Sequence, residues 1–417
     1  MTTIVFVVLA LIILKTSSEV LLERLNERSI DSNRATVPSL FKEMITLETY
    51  QQSIDYSLTK GRFSRIESIY GALILSFVLL CGLLPWLMDQ FRATWGDGVW
   101  SVSASLMISL FLVSLPGWPL AWYQQFRIEE RFGFNKMTPR LWWMDRLKGC
   151  LLGVILGWPI LALLCWLVAK SASFWWFWGW LAITLIQLVL MVLAPAVIMP
   201  LFNKFEALAA GPLRARLMAL ADRSHFRAKT IEVMDGSRRS SHSNAFFTGL
   251  GKFRKIVLFD TLLEQLSDDE LEAVVAHEIG HYRRKHIPKL IAWSSVTLLL
   301  SLYTIYKLSE IEAFTSAFGF VPGDLYSAFL LFMLLGGVVT HWLTPLENLW
   351  SRKFEYEADA FAKQAVGGHE ALIMALKKLA EKNLSNLTPH PWYSAFYYSH
   401  PTIAERSQAL QSFPESK

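Results

Sequence analysis

The chain is short of cysteine and of charge. Its three cysteines, Cys81, Cys150 and Cys165, are spread over 417 residues, too few and too scattered for a disulfide framework or a thiolate metal site. All three lie in or beside apolar runs. Charged side chains make up 18% of the residues and apolar ones 53%, where soluble domains carry about 25% and about 45–50%. That balance excludes an ordinary soluble domain and points to a membrane. No internal repeat is visible, which excludes a solenoid, and no low-complexity segment is present. The net charge of +5 is too small to call for nucleic acid. It sits on basic loops, and anionic lipid is the neighbour it favours.

What is present is apolar sequence in long runs. About 20 apolar residues make a membrane-spanning helix, and seven such stretches are expected, at about 3–22, 68–90, 103–124, 150–168, 174–199, 288–307 and 324–343. Seventeen tryptophans suit the headgroup level at the ends of such helices. The first stretch is the weakest, since its continuous apolar part stops at Leu14 and Lys15-Thr16-Ser17-Ser18 follows. A cleaved signal peptide would need a basic leader and a small-residue cleavage site. Neither is evident, so a retained helix is expected.

The loops set an orientation. Lys and Arg are dense after the first stretch (Arg24, Arg28, Arg34, Lys42), after the third (Arg127, Arg131, Lys136, Arg140) and between the fifth and sixth. The alternate loops hold almost none. By the positive-inside rule the amino terminus is outside and the carboxy terminus inside. Four segments follow: 1–200 with five spans, a polar 201–287, 288–343 with two spans, and a polar 344–417. Both polar segments are expected on the cytoplasmic face. The tail Pro414-Glu415-Ser416-Lys417 lacks a dilysine signal, so a bacterial inner membrane is expected rather than the endoplasmic reticulum.

The strongest local signal is His277-Glu278-Ile279-Gly280-His281, an H-E-x-x-H. On a helix its two histidines lie on one face and can reach one metal ion. Glu278 is turned about 100° from His277, so it can address a water rather than the ion and act as general base. The helix is well specified. Ser267-Asp268-Asp269-Glu270 is a capping box, acids occupy the first turn, and Arg283, Arg284 and Lys285 follow the motif, as the helix dipole favours. Chance would place an H-E-x-x-H in roughly one such chain in a hundred, and seldom on a capped helix of the right length.

Catalytic zinc needs a third protein ligand and one open position. Just inside the seventh span runs Ser351-Arg352-Lys353-Phe354-Glu355-Tyr356-Glu357-Ala358-Asp359. Glu355 and Asp359 are four apart and share a face, which fits a ligand carboxylate plus an acid that orients an imidazole. Glu357 points elsewhere and is the weaker choice. An ordinary solvated helix with Arg352–Glu355 and Lys353–Glu357 pairs fits the spacing equally well. Binding through Glu357 or His286 would overturn the assignment. Further on, Arg254 to Phe259 reads as a strand, with Ser243 to Thr248 as an edge partner or simply half of a hairpin. Peptidases hold substrates on such edges. His400 precedes Pro401 in a bent segment, where an imidazole can donate to an oxyanion, though a lone histidine is more often structural.

These residues resemble the type I CAAX prenyl proteases, integral-membrane zinc endopeptidases. The likeness runs from about Gln51 to Arg406. It includes Ile128-Glu129-Glu130-Arg131-Phe132-Gly133-Phe134-Asn135-Lys136, Ser243-Asn244-Ala245-Phe246-Phe247, and Lys255 to Leu263. HEIGH, NLWSRKFEYEADAF from Asn348, and Ser399-His400-Pro401-Thr402 with Arg406 complete the set. The resemblance implies a mostly α fold: a seven-helix barrel enclosing a water-filled chamber, capped by a membrane-surface zinc peptidase domain with a small β-sheet. It implies one zinc per chain on His277, His281 and Glu355, with Glu278 as base and Asp359 and His400 as further catalytic groups. Asn244 and Ala245 would hold substrate backbone, with Asn348, Arg352 and Arg406 in support. The expected partners are the bilayer and a peptide or protein substrate, CAAX-type or prenylated, and not nucleic acid.

The rival readings are a quality-control metalloprotease without a prenyl requirement, a protease cutting inside the bilayer, a lipid hydrolase, and a scaffold with structural zinc. Asp268, Asp269 and Arg283 to Lys285 place the metal helix outside the bilayer core. A structural site would be closed by four protein ligands and would have no use for Glu278.

Overall fold

A computed structural model describes residues 2–248 and 254–413; the Pro414–Lys417 tail lies outside them. Seven helices are long and apolar enough to cross a bilayer: Thr3–Ser32, Leu47–Leu80, Val99–Glu129, Pro139–Ser171, Trp175–Phe202, His286–Ser309 and Leu325–Val366. Apolar side chains face outward along them, with Phe6, Ile13 and Leu73 about two-thirds exposed. That inverts the pattern of a soluble domain and leaves these faces to lipid.

The number of spans agrees with the sequence reading, but their lengths do not. The first helix runs on to Ser32, and the second starts at Leu47 rather than near 68. At 1.5 Å per residue, 30 and 34 residues reach about 45 and 51 Å, past a hydrocarbon core of about 30 Å. Hydropathy stops where the lipid stops, whereas the helix continues through polar sequence. The second helix also ends sooner than expected. Gly82 adopts a left-handed conformation (φ 75°) and a separate helix, Leu83–Trp95, follows.

The seventh span is the longest, at 42 residues, or about 63 Å. Its carboxy-terminal half, Thr344–Val366, is here termed the glutamate helix. The sixth span begins at His286, directly after the helix Asp268–Arg283 that bears the H-E-x-x-H, here termed the metal helix. Both polar segments are therefore tied to spans by nearly continuous helix.

Four short strands complete the peptidase domain: β1 (Phe205–Ala207), β2 (Thr230–Met234), β3 (Ala245–Thr248) and β4 (Lys255–Phe259). Their order is β1-β2-β4-β3. β2 and β4 are parallel, with Ile231 opposite Ile256, while β1 and β3 join antiparallel. One core unites sheet and helices through Leu217, Ile231, Leu258, Leu271 and Val275.

The protruding ends of spans one and two pack on the carboxy-terminal segment through Ile30, Phe41, Tyr50, Ile54 and Ala380. A cavity of about 680 Å³ lies between them, walled in part by Glu23, Tyr56, Lys60, His242 and His400. A second, of about 430 Å³, continues along Lys15, Glu19, Glu67 and Gly337. Ionisable groups facing inward in a helix bundle belong to a water-filled space. Both cavities are lined mainly by spans one, two and seven and the carboxy-terminal segment, where the resemblance implied a chamber enclosed by all seven spans.

Candidate metal centre

The metal helix starts as its sequence dictates. Ser267 Oγ accepts from the Glu270 N–H (3.4 Å) and Glu270 Oε2 accepts from the Ser267 N–H (2.8 Å). Leu271, Val275, Ala276 and Ile279 bury its apolar face. Gly280, inside the motif, lets the glutamate helix come close. A Cβ there would stand 2.9 Å from Ala358 Cα and 3.0 Å from the Ala358 carbonyl oxygen, so any side chain must push the helices apart. Gly280→Ala is expected to cost about 1–3 kcal/mol, as overpacking does, and to lower metal retention. Thermal unfolding and metal content measure this; no change in either would mean the helices part freely.

That contact brings Glu355 to the histidines. His277 Nε2 and His281 Nε2 are 3.2 Å apart. Glu355 faces both, Oε2 at 3.4 Å from His277 Nε2 and Oε1 at 3.3 Å from His281 Nε2. Taking one ligand atom from each, the three side chains bring their donors within 4.8 Å of one another, close enough to share one zinc ion with bonds of about 2.0–2.2 Å. Glu355 Oε2 is buried without a hydrogen-bond partner, as a carboxylate oxygen awaiting a cation would be. Burial opposes charge on His277, yet Asp359 and Glu355 outweigh it and push the imidazole up to about 9. The pocket thus favours positive charge at this point. The donor set fits zinc.

Each histidine is backed by an acid. His277 Nδ1 meets Asp359 Oδ1 at 2.8 Å. Arg406 grips Asp359 with two bonds, Nε to Oδ2 (2.9 Å) and Nη2 to Oδ1 (2.6 Å), and its Nη1 lies 3.6 Å from Glu355 Oε2. His281 Nδ1 meets His286 Nδ1 at 2.9 Å, and His286 Nε2 meets Glu357 Oε2 at 3.0 Å. His286 and Glu357 therefore sit behind His281 instead of at the ion position. The sequence offered one hint of this link, a third histidine five residues beyond the motif.

Glu278 is half-buried. Burial raises its carboxyl above the usual range, partly countered by His277 and His281. His400 stands on the chamber side, its Nε2 3.4 Å from Glu355 Oε1. Asn348 and Arg352 lie off the ion position. Asn348 Nδ2 donates to the Phe396 carbonyl (2.6 Å) and Arg352 Nη1 to that of Ser394 (3.1 Å), clamping the carboxy-terminal segment to the glutamate helix.

β3 is an edge strand of the sheet. The Asn244 carbonyl accepts from the Phe259 N–H (3.0 Å), and pairs alternate along an antiparallel ladder. Ala245, opposite Leu258, therefore turns its N–H and C=O to the open side. Its N–H is taken up locally by Asn244 Oδ1 (2.8 Å), so Asn244 occupies the donor that an incoming strand would use.

Residues 27–204 match the family model for the CAAX prenyl protease N-terminal region with five membrane helices. Residues 207–413 match peptidase family M48. A CAAX prenyl protease 1 homolog of Oryza sativa is 37% identical, covering 92% of both chains. This chain belongs to peptidase family M48. The CAAX prenyl protease 1 of Saccharomyces cerevisiae is 36% identical over 91% of this chain and 90% of its own. The crystal structure of S. mikatae Ste24p superposes with a TM-score of 0.92 at 33% identity, covering 98% and 99% of the two chains. As an M48 member with seven membrane-crossing helices, the chain is a multi-pass integral-membrane metallopeptidase.

Proposed function

We propose that this chain is a zinc endopeptidase that cuts near the carboxy terminus of CAAX-type protein substrates, with His277, His281 and Glu355 holding one zinc ion. The observation that supports it most is the convergence of those three side chains, their ligand atoms within 4.8 Å of one another, with Glu278 beside them and an open strand edge nearby. Zinc bound there supplies Lewis acidity, polarising a carbonyl and lowering the pKa of a water to about 7. Glu278 takes a proton from the attacking water and delivers it to the leaving amine. His400 Nε2 donates to the carbonyl oxygen as it gains charge. Asp359 holds His277 in the tautomer whose Nε2 lone pair is free, and Arg406 holds Asp359.

Substrate backbone adds to β3 at Ala245 once Asn244 Oδ1 releases its N–H. Such an edge reads main chain, so side-chain selectivity is loose, and the chamber selects flexible or lipid-bearing tails. The relatives named as CAAX prenyl proteases support that class. Ala245→Pro, which cannot donate to a ladder, is expected to cut kcat/KM by up to about 10-fold, the worth of one hydrogen bond, with zinc content unchanged. Asn244→Ala removes the side-chain oxygen that competes for the Ala245 N–H along with the Asn244 side chain itself, so its effect on kcat/KM is expected to be smaller. Assays on a CAAX peptide with and without a farnesyl group test both points. Equal turnover by Ala245→Pro rules out strand addition, and no gain from the farnesyl group favours a quality-control protease.

The basic loops support a cytoplasmic peptidase domain. Reporter fusions after Leu201 and at Lys417 are expected to read as internal, and external signals would reverse the orientation. A tagged chain viewed in its own cell decides between the expected bacterial inner membrane and the endoplasmic reticulum.

A further inference from the structure

Behind His281 lies a hydrogen-bonded chain with only one proton arrangement compatible with a metal. For His281 Nε2 to offer a lone pair, its proton must sit on Nδ1. That proton then points to His286 Nδ1, 2.9 Å away, which must accept. The proton of His286 is thereby placed on Nε2, where it donates to Glu357 Oε2 at 3.0 Å. In the reverse arrangement His286 donates to His281 and the His281 proton moves to Nε2, into the ion position. The bare His286 Nε2 lone pair would then face the Glu357 carboxylate, which is repulsive. The acid decides between the two.

We propose that Glu357, acting through His286, fixes the His281 tautomer that binds the metal, as Asp359 does directly for His277. This rests on the zinc reading above. Glu357 and His286 are positioning residues, since neither touches the ion position.

The surrounding structure is built for the link. On a continuous helix His286 would lie about 140° around from His281. Instead Lys285 takes a left-handed conformation (φ 56°) between the two helices, costly for a residue with a side chain, and the turn brings His286 back. Phe354 stacks on the buried imidazole (centroids 4.1 Å, 11° between planes). Lys289 Nζ lies 3.9 Å from the same Glu357 Oε2.

The test uses the full chain in detergent, with zinc affinity read by chelator competition and the visible spectrum of the cobalt-loaded protein as a second readout. His286→Ala and Glu357→Ala are expected to weaken zinc about 10–100-fold and to shift the cobalt bands. Glu357→Gln, whose amide oxygen still accepts, falls less. His286→Gln, with an acceptor and a donor on one side chain, recovers part of the affinity, whereas His286→Phe, which keeps only the stacking, recovers none. Equal chelator midpoints and spectra for Glu357→Ala and the unaltered chain overturn the proposal, as does full affinity in His286→Phe. If His286→Ala does not fold, the partly exposed Glu357 position decides. An unaltered chain that binds neither zinc nor cobalt fails the metal reading itself, a result separable from tight zinc in every variant.

Discussion

Glu278→Ala and Glu278→Gln are expected to keep their zinc and to lose peptide hydrolysis by about 10²–10⁴-fold in kcat, the usual worth of a general base. The reasoning is geometric. Glu278 follows His277 by one residue and so is turned about 100° around the helix, off the line of the ligands yet beside them. Its carboxyl is half-buried, and burial raises its proton affinity, which suits a group that must take a proton and return it. Glutamine has the same shape and cannot accept a proton, so Glu278→Gln separates basicity from packing. Zinc content near that of the unaltered protein, with KM little changed, is the expected companion result. Near-normal turnover by Glu278→Gln would sink the mechanism; loss of zinc from it would make Glu278 part of the binding set.

The second large effect concerns Glu355. Glu355→Ala is expected to lose both zinc and activity, because two imidazoles do not hold a catalytic ion. The loss is aggravated by what remains, since Glu355 is 3% exposed and its removal leaves the Arg406 guanidinium, 3.6 Å away, without that charge to face. A chelator should inactivate the unaltered chain equally, and added zinc should restore the unaltered chain but not Glu355→Ala. Metal analysis is expected to read one zinc per unaltered chain and close to none in the variant. A full complement of zinc in Glu355→Ala would end the assignment. His400→Ala differs in kind, lowering kcat more than it raises KM, as a contact made mainly in the transition state does.

The sequence by itself determined the parts governed by short-range rules. Hydropathy counts residues in lipid, so seven spans were legible, and the capped metal helix was legible because capping and i,i+4 spacing are local. The same locality explains the errors in span length, since lipid contact ends where polar helix goes on. Spacing alone left Glu355, Glu357 and a plain charged helix all open. Their distances to His277 and His281 depend on how two helices more than sixty residues apart pack, and Gly280 against Ala358 sets that. The open side of β3 likewise depends on the sheet order, which no strand encodes alone. His286 was visible only as a third histidine. A left-handed turn at Lys285 and a partner on another helix put it behind His281, because a hydrogen bond is decided by angles and tenths of an ångström that only the tertiary fold supplies.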